Sequence, residues 1–337
     1  MNKGLGHADG KISLPDGRSL GVALYGDRSG WPVVYCHGFP GSRLEACMAH
    51  QICEELGMLL VGVDRPGYGL SPNHPGMRIV DFPEDVEALL DELGVERASV
   101  LGVSGGGPYA LACGWSLKGR ICSVALVGSI GPPECPARRA LDPLNRLGLE
   151  AARRAPWVFR LTLGGLAPIL RASGWWVVLL VAMRVAPKDR RVLLGSPLGE
   201  RLAVSFREAF GQAGSGPSRD AALYGQPWGF SLKEVQVPVF IWHGKQDRIV
   251  PWEMGEWLSK ALPRSVLRIL PTDGHFSLAM NRAGEIFQAL KPQGPCAGHG
   301  SPFAKSVAAG NIVAWKRGDG IPSWGLGELT LFKEVGR

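Results

Sequence analysis

Short apolar runs alternate with helical patterns over the first 130 residues of the chain. Two runs flank Pro15-Asp16-Gly17-Arg18, and an Asp-Gly turn between such runs predicts a β-hairpin. Continuous apolar runs predict strands at 33–36, 58–63, 100–103 and 123–127. Apolar positions at helical spacing predict the helices between these strands, at 44–56, 80–93 and 108–117.

The alternation stops after residue 127 and resumes at residue 238. The second stretch predicts strands at 238–242 and 265–270 and helices at 252–262 and 277–290. Strands that are apolar throughout and alternate with helices are typical of a mostly parallel sheet covered on both faces. The predicted fold class is therefore α/β, with ligands expected beyond the carboxyl ends of the strands.

Polar, glycine-rich segments follow five of the predicted strands, and the carboxyl ends of parallel strands meet at one edge of a sheet. These segments are residues 37–42, 64–69, 104–106, 243–247 and 272–275. Five such loops at one edge are more specific than any single motif, so we expect the chemistry of the protein at this edge.

Ser104 is the candidate nucleophile, within Gly102-Val103-Ser104-Gly105-Gly106. A serine at a sharp turn between a strand and a helix projects its oxygen clear of the sheet. Three consecutive glycines after the serine predict an open pocket floor beside it. The backbone N–H of Gly105 is expected to bind the oxyanion formed by attack on a carbonyl, together with that of Phe39 in the loop after residue 36.

A serine hydroxyl needs a base, and the base needs an orienting acid. His275 is the candidate base and Asp247 the candidate acid, since the order Ser104, Asp247, His275 is expected with this elbow. Four further polar residues have structural interpretations. Asp273 is expected to bond backbone N–H groups of its turn, Asp64 to brace a loop, and His37 and His243 to make structural hydrogen bonds.

Composition sets limits on these interpretations. Hydrophobic content of 45% and charged content of 20% are globular values. The first ten residues hold no apolar leader, and the longest apolar run, 175–183, is too short to span a membrane. Seven cysteines without a Cys-x-x-Cys pair give a zinc site little support. Their odd number favours reduced thiols and a cytoplasmic location, and no cofactor is expected.

The net charge of +7 arises entirely between residues 131 and 232, which hold 14 Lys or Arg against 7 Asp or Glu. Basic proteins are candidates for nucleic-acid binding, but the chain carries no nucleic-acid motif, so we expect no nucleic-acid partner.

Together these motifs resemble the α/β-hydrolase superfamily over residues 11–290. The matching segments are 37–43, 64–71 and 102–106, with Asp247 and His275. The first two segments resemble the branch that contains esterases, proline iminopeptidases and epoxide hydrolases. Relatives that open epoxides carry aspartate where this chain has Ser104, which disfavours that chemistry. Proline iminopeptidases typically carry Gly-Gly-Ser-Trp-Gly, whereas Val103 and Gly105 flank the serine here. This difference ranks aminopeptidase activity below ester hydrolysis without excluding it.

The resemblance implies a core of residues 1–130 and 233–291 and a helical cap of residues 131–232 over the site. Paired arginines surround two apolar helical segments of this cap, at 157–166 and 175–183. The cap is expected either to pack its apolar face on the core or to form a basic, acyl-binding lid with peripheral membrane contact. Residues 292–337 are rich in Gly and Pro and predict a poorly ordered extension.

The sequence therefore predicts a cofactor-free serine hydrolase acting on a small-molecule carboxylic ester with an apolar acyl group. An amidase, aminopeptidase or carbon–carbon hydrolase with the same three residues is the alternative among enzymes. A non-catalytic ligand-binding protein is the alternative outside enzymes.

Overall fold

The computed structural model describes residues 8–291 and the backbone of Lys316–Arg317. Residues 8–291 hold eight strands, and Lys316–Arg317 forms a short ninth strand, β9, beside the first. The eight strands are β1 (Ala8–Ser13), β2 (Ser19–Gly26), β3 (Trp31–Cys36), β4 (Met58–Val63), β5 (Ala98–Val103), β6 (Ile121–Val127), β7 (Val239–Gly244) and β8 (Ser265–Leu270).

All strands form one sheet in the order β8-β7-β6-β5-β3-β4-β2-β1-β9. Neighbouring strands from β8 to β4 run parallel, whereas β1 and β2 form the antiparallel hairpin predicted from the sequence. The central strands β3 and β4 are buried along their whole length, as expected for parallel strands covered on both faces. The predicted α/β fold class is confirmed.

Eleven α-helices connect and cover these strands in the described part of the chain. They are α1 (His50–Glu55), α2 (Phe82–Glu92), α3 (Gly107–Ser116), α4 (Pro143–Arg154), α5 (Pro156–Ala172), α6 (Trp175–Ala182), α7 (Pro187–Gly195), α8 (Pro197–Ala209), α9 (Ser215–Tyr224), α10 (Trp252–Ala261) and α11 (His275–Ala289). The helix predicted at 44–56 is divided into a 3-10 helix, Arg43–Ala49, and α1. The helix predicted at 277–290 begins two residues earlier, at His275.

Two apolar cores lie on opposite faces of the sheet. Helices α2, α3 and α10 cover one face, with Leu89, Leu111 and Leu258 in its core. Helices α1 and α11 cover the other face, where Cys53 and Phe287 are buried. Helices therefore cover both faces of the sheet, and the loops at its carboxyl edge are free to form a functional site.

Six helices, α4 to α9, lie between β6 and β7, in the region predicted to form the cap. We call residues 131–232 the helical insertion. Side chains of α6, α7 and α8 form an apolar core of their own, including Val178, Leu193 and Phe206. The insertion also contacts the rest of the chain, since α7 packs on α11 and α8 on the 3-10 helix Arg43–Ala49. The predicted extension, 292–337, lies outside the described residues apart from Lys316–Arg317.

Most cysteines of the described region lie in these cores. Cys36, Cys47, Cys53, Cys113 and Cys135 are free thiols. Cys122 is disulfide-bonded, so the expectation of reduced thiols does not hold for every cysteine.

Gly62 of β4 lies where the 3-10 helix Arg43–Ala49 approaches the sheet, and a Cβ at this position would overlap the carbonyl oxygen of Arg43. We expect Gly62→Ala to lower the free energy of unfolding by about 1–3 kcal/mol, because the backbones must move apart. Chemical denaturation measures this change. Gly148→Ala in α4 is the matched control: a Cβ there meets open space, and helix propensity predicts a gain of up to about 1 kcal/mol. A Gly62→Ala protein as stable as the wild type would contradict the close approach.

Candidate active site

Ser104 lies at the turn between β5 and α3, at the carboxyl edge of the sheet. Its φ of 53° is in the left-handed region, which residues with a side chain rarely adopt. Ser104 is 7% exposed and lines a cavity, so the turn presents a largely buried hydroxyl to a ligand-sized space.

The glycines around Ser104 are explained by close packing. A Cβ at Gly105 would overlap the Tyr224 hydroxyl and lie 2.7 Å from Cβ of Phe39. A Cβ at Gly106 would overlap the carbonyl oxygen of Cys36. The space beside these glycines is filled by protein, so the predicted open pocket floor is wrong.

Asp247 and His275 are in direct contact. His275 Nδ1 donates a hydrogen bond of 2.6 Å to Oδ2 of Asp247. The other oxygen, Oδ1, accepts hydrogen bonds from the backbone N–H groups of Ile249 (2.8 Å) and Val250 (2.9 Å). Burial would raise the pKa of Asp247, but the charge of His275 and hydrogen bonds from His243 and His275 lower it far below its usual range. Asp247 is therefore a fixed anion.

His275 is the first residue of α11 and is 8% exposed. Burial would lower its pKa, but the charge and hydrogen bond of Asp247 outweigh burial and raise the pKa above 6.5. His275 and Ser104 line the same cavity. Within residues 8–291, no hydrogen bond joins the Ser104 hydroxyl to the His275 ring, although both residues line this cavity.

A carboxylate from the helical insertion holds the start of α11. Asp189 of α7 is fully buried and accepts a hydrogen bond of 2.6 Å from the backbone N–H of His275. It also accepts bonds from the N–H (2.9 Å) and the hydroxyl (2.7 Å) of Ser277. The first N–H groups of a helix lack partners within the helix, and an anion stabilises them. The insertion therefore fixes the backbone from which His275 projects.

Phe39 and Gly105 lie side by side, as the contact between a Gly105 Cβ and Cβ of Phe39 shows. The backbone–backbone and side-chain hydrogen bonds of the described residues include none donated by either N–H group. The Phe39 loop and the Gly105 turn therefore lie next to each other, and Phe39 lines the same cavity as Ser104.

A buried ion pair holds both of these loops. Arg65 donates to the carbonyl oxygens of His37 (2.5 Å) and Gly38 (3.1 Å), which precede Phe39. Nε of Arg65 donates to Asp220 of α9 at 2.8 Å, and both side chains are fully buried. Next to them, the Tyr224 hydroxyl donates to the carbonyl oxygen of Gly105 at 2.8 Å.

The charge of Asp220 is balanced by further donors. The hydroxyl groups of Tyr68 (2.9 Å) and Tyr109 (2.6 Å) donate to it, in addition to Arg65. A buried charge is tolerated when its remaining lone pairs are satisfied in this way. The loops that carry Phe39 and Gly105 thus rest on one satisfied polar cluster.

Glu45 is a second buried carboxylate at the cavity. It accepts a hydrogen bond from the Tyr35 hydroxyl (2.8 Å) and from the N–H of Gly38 (3.1 and 3.2 Å to its two oxygens). Burial raises the pKa of Glu45 and outweighs the hydrogen bonds from Tyr35 and Gly38, which lower it. Glu45 therefore braces the residue before Phe39.

Three of the four residues that were expected to have structural roles have them in the structure, namely His37, His243 and Asp64. His37 Nδ1 donates to the Gly38 carbonyl at 2.9 Å, and His243 Nε2 donates to the Val250 carbonyl at 3.0 Å. Asp64 braces its loop through the N–H groups of Arg43 (2.7 Å) and Leu70 (2.8 Å).

Asp273 differs from the expectation that it bonds backbone N–H groups. Its partners are the side chains of Lys188 (2.6 Å) and Asn281 (2.7 Å). The reason is the neighbouring helix α7, which brings Lys188 to this turn from the insertion. Asp273 therefore joins the insertion to the core instead of stabilising its own turn.

The cavity beside Ser104 has a volume of about 650 Å³. Its floor is the sheet face at Tyr35, Leu101 and Val127, and its walls come from α1, α8 and α11. Apolar side chains form most of its surface, and pockets of this size bury small organic ligands. Among residues 8–291, no group of three His, Cys, Asp or Glu side chains is placed to hold a metal ion.

Sequence reasoning missed Asp189, Asp220 and Glu45. Asp189 and Asp220 lie in the region where the strand–helix alternation stops, and no local pattern marks them. Glu45 had one local signal, because it lies three residues after Ser42 and just beyond the matching segment 37–43.

Comparisons with known proteins agree with the fold. The family model for the alpha/beta hydrolase fold matches residues 32–280. A dihydrolipoyllysine-residue acetyltransferase component of an acetoin cleaving system from Cupriavidus necator is 28% identical over 260 residues. The match covers 77% of this chain but 62% of that protein. A proline iminopeptidase from Xanthomonas citri is 25% identical over 309 residues, which is 84% of this chain and 95% of that protein.

Among solved structures, an esterase from Thermogutta terrifontis is similar in fold, with a TM-score of 0.61 and 20% identity over 83% of this chain and 97% of that one. Identity at this level shows the fold alone. Esterases, peroxidases, a peptidase and carbon–carbon hydrolases are all among the relatives, so the chemistry of the site must be argued from its own residues. From the matched residues and the strand order, this chain belongs to the alpha/beta hydrolase family.

Proposed function

We propose that the protein is a serine hydrolase that cleaves a carboxylic ester through Ser104, His275 and Asp247. One observation carries the proposal: His275, which donates a buried hydrogen bond of 2.6 Å to Asp247, lines the same cavity as Ser104, the serine of a strained turn. An anion fixed by two backbone N–H groups orients the imidazole, and the cavity supplies the space for a substrate.

The reaction follows from these positions. The Ser104 oxygen attacks the ester carbonyl carbon while its proton passes to Nε2 of His275, and the carbonyl oxygen becomes an oxyanion. His275 then gives this proton to the departing alkoxide, which leaves as an alcohol, and Ser104 carries the acyl group. Water, deprotonated by His275, then attacks the acyl carbon. The bond from that carbon to the Ser104 oxygen breaks, His275 returns the proton to the Ser104 oxygen, and the acid is released. The Ser104–His275 hydrogen bond closes during this cycle, since such bonds are often open without substrate.

The N–H groups of Phe39 and Gly105 are proposed to bind the oxyanion. Their support from Arg65, Tyr224 and Glu45 means that the donors need no rearrangement when charge develops. Preorganised donors of this kind are each worth about 10²–10³ in rate.

The substrate class follows from the lining of the cavity. The apolar floor and the apolar side chains of α8 and α11, which form most of the surface of the cavity, favour an ester with an apolar acyl group. The reaction needs no cofactor. The cytoplasmic location remains a prediction from the sequence.

Aminopeptidase activity is the runner-up, and Glu45 is the residue that bears on it. A free substrate amine needs an anionic partner, and Glu45 is the buried carboxylate at the cavity. Its oxygens already accept from Tyr35 and Gly38, and burial raises its pKa, so it is a poor counter-ion. Carbon–carbon hydrolysis and non-catalytic binding are the remaining alternatives, and the labelling experiment below separates non-catalytic binding from catalysis by Ser104.

We expect a fluorophosphonate probe to label the wild-type protein covalently and to leave Ser104→Ala unlabelled, because only an activated serine forms the adduct. Intact-protein mass spectrometry measures the adduct. Ser42→Ala is the matched control, since this buried serine lies in the Phe39 loop but bonds Ser205, away from the cavity. Labelling that persists in Ser104→Ala, or no labelling of the wild type, would refute the nucleophile.

We expect p-nitrophenyl esters of increasing acyl length to be hydrolysed with rising kcat/KM until the chain fills the apolar cavity, since each buried methylene adds about 0.8 kcal/mol of binding. Amino-acid anilides should react more slowly than the best ester, because Glu45 is already partnered. Initial rates at fixed enzyme concentration test both expectations. Faster turnover of the anilides would favour the aminopeptidase alternative.

We expect kcat/KM for the preferred ester to fall as the pH drops through the pKa of His275, which lies above 6.5. The sign follows because a protonated imidazole cannot accept the Ser104 proton. In Asp247→Asn the carboxylate that raises the pKa of His275 is lost, and burial then lowers this pKa. The midpoint of the pH–rate profile should therefore move to lower pH, and the rate should fall by about 10⁴. pH–rate profiles of both proteins measure the shift, and an unmoved midpoint would show that another group titrates.

A further inference from the structure

Large apolar side chains are exposed on the outer helices of the insertion. The most exposed on α5 are Trp157 (68%), Leu161 (69%) and Ile169 (57%), and those at α6 are Trp176 (56%), Leu180 (53%) and Met183 (66%). We call these six residues the apolar insertion face. Exposed apolar groups of this size and number mark an interaction site, because scattered single residues would need no explanation.

Helix geometry places these residues on outward faces. Trp157 and Leu161 are four residues apart on α5, and Trp176 and Leu180 are four apart on α6, so each pair shares one side of its helix. Both helices pack their other side on α8. The apolar insertion face therefore points away from the protein and has no partner among the described residues.

Neither helix crosses a bilayer by itself. Among the described helices, none is both long and apolar enough to do so, and α5 and α6 reach that length only as a pair bent by 104°. The bend and the buried inner sides suit helices that lie along a surface, with one side in contact with it.

The unpaired charge beside the face is positive. No Asp or Glu occurs between Glu150 and Asp189, whereas this stretch holds five arginines and Lys188. Ion pairs with carboxylates engage four of these six cations, namely Arg153, Arg154, Arg184 and Lys188. Arg160 and Arg171 are exposed on α5, and within the described residues neither forms an ion pair with a carboxylate. An apolar surface with unpaired cations beside it complements an anionic, apolar partner.

A groove at the end of α5 adds a second cationic feature. It has a volume of about 560 Å³ and is bordered by Pro168, Arg171 and Arg207. Nε of Arg207 donates to the carbonyl oxygen of Arg171 at 3.1 Å, which holds the two residues together. Two arginines that border one groove are suited to a phosphate headgroup.

We propose that the apolar insertion face docks the protein on an anionic phospholipid bilayer. Trp157, Leu161 and their neighbours enter the interface, while the arginines contact headgroup phosphates. A symmetric pair of copies fits this face less well, because it would bring the same unpaired arginines against each other.

Docking has a consequence for how a substrate reaches the cavity. This consequence rests on the proposed function, whereas docking itself does not. Val181 of α6 lines the cavity of Ser104, on the same short helix that exposes Trp176 and Leu180. A bilayer in contact with α6 would therefore lie next to one wall of the cavity. This position narrows the proposed substrates to esters of membrane lipids.

The test is co-sedimentation of the full chain with vesicles of phosphatidylcholine alone and of equimolar phosphatidylcholine and phosphatidylglycerol. We expect stronger binding to the anionic vesicles, weakened by salt. The double substitution Trp157→Ser/Leu161→Ser should reduce the partition coefficient at least about tenfold, because each apolar side chain that enters the bilayer contributes to the free energy of partitioning. Val266→Ser is the matched control, because Val266 is 53% exposed on β8, outside the insertion.

Arg160→Gln/Arg171→Gln should weaken binding to the anionic vesicles by about fivefold per arginine and leave binding to phosphatidylcholine unchanged. Arg78→Gln, an exposed arginine outside the insertion, is its control. Circular dichroism and gel filtration of every variant show whether folding and oligomeric state are kept.

Wild-type protein that stays in the supernatant with both vesicle types would overturn the proposal. So would a wild-type dimer that Trp157→Ser/Leu161→Ser dissociates without any vesicle binding, which would assign the face to a second copy. Because sedimentation needs no turnover, failure of docking is distinct from failure of the esterase proposal.

Discussion

The buried ion pair between Arg65 and Asp220 links three parts of the molecule that must stay in register. Arg65 comes from the loop after β4 and holds the carbonyl groups that precede Phe39. Asp220 comes from α9 of the insertion, one turn before Tyr224, which bonds Gly105. Removing either charge would leave the other buried and unpaired, which typically costs about 3–5 kcal/mol. The position of both proposed oxyanion donors therefore depends on the docking of the insertion.

Helix α7 makes a second connection of the same kind on the opposite side of Ser104. Lys188 pairs with Asp273, and Asp189 binds the first N–H groups of α11. The insertion thus contacts the site through the backbone of His275 as well as through Gly105. Movement of the insertion would change the positions of His275 and of the Phe39 and Gly105 backbone together, so the insertion couples the two halves of the proposed site.

The local parts of this site were accessible to sequence reasoning. Continuous apolar strands identified the parallel sheet, and its carboxyl edge predicted that Ser104, Asp247 and His275 would approach one another. Asp247 and His275 are in contact, and Ser104 lines the same cavity as His275. The interpretation of the glycines after Ser104 as an open floor was wrong, because Tyr224 fills that space from 119 residues away. The partners of Asp273 differed for the same reason, since Lys188 arrives from the insertion.

Strand and helix order, the elbow at Ser104 and the charge excess of residues 131–232 are properties of neighbouring residues, and the amino-acid order alone is enough to find them. The buried carboxylates Asp189 and Asp220, and the outward side of α5 and α6, are not of this kind. Asp189 meets the N–H of His275 across 86 positions, and Asp220 meets Arg65 across 155. Such contacts depend on how helices dock against one another, and docking is set by the summed packing of many side chains that no short segment contains.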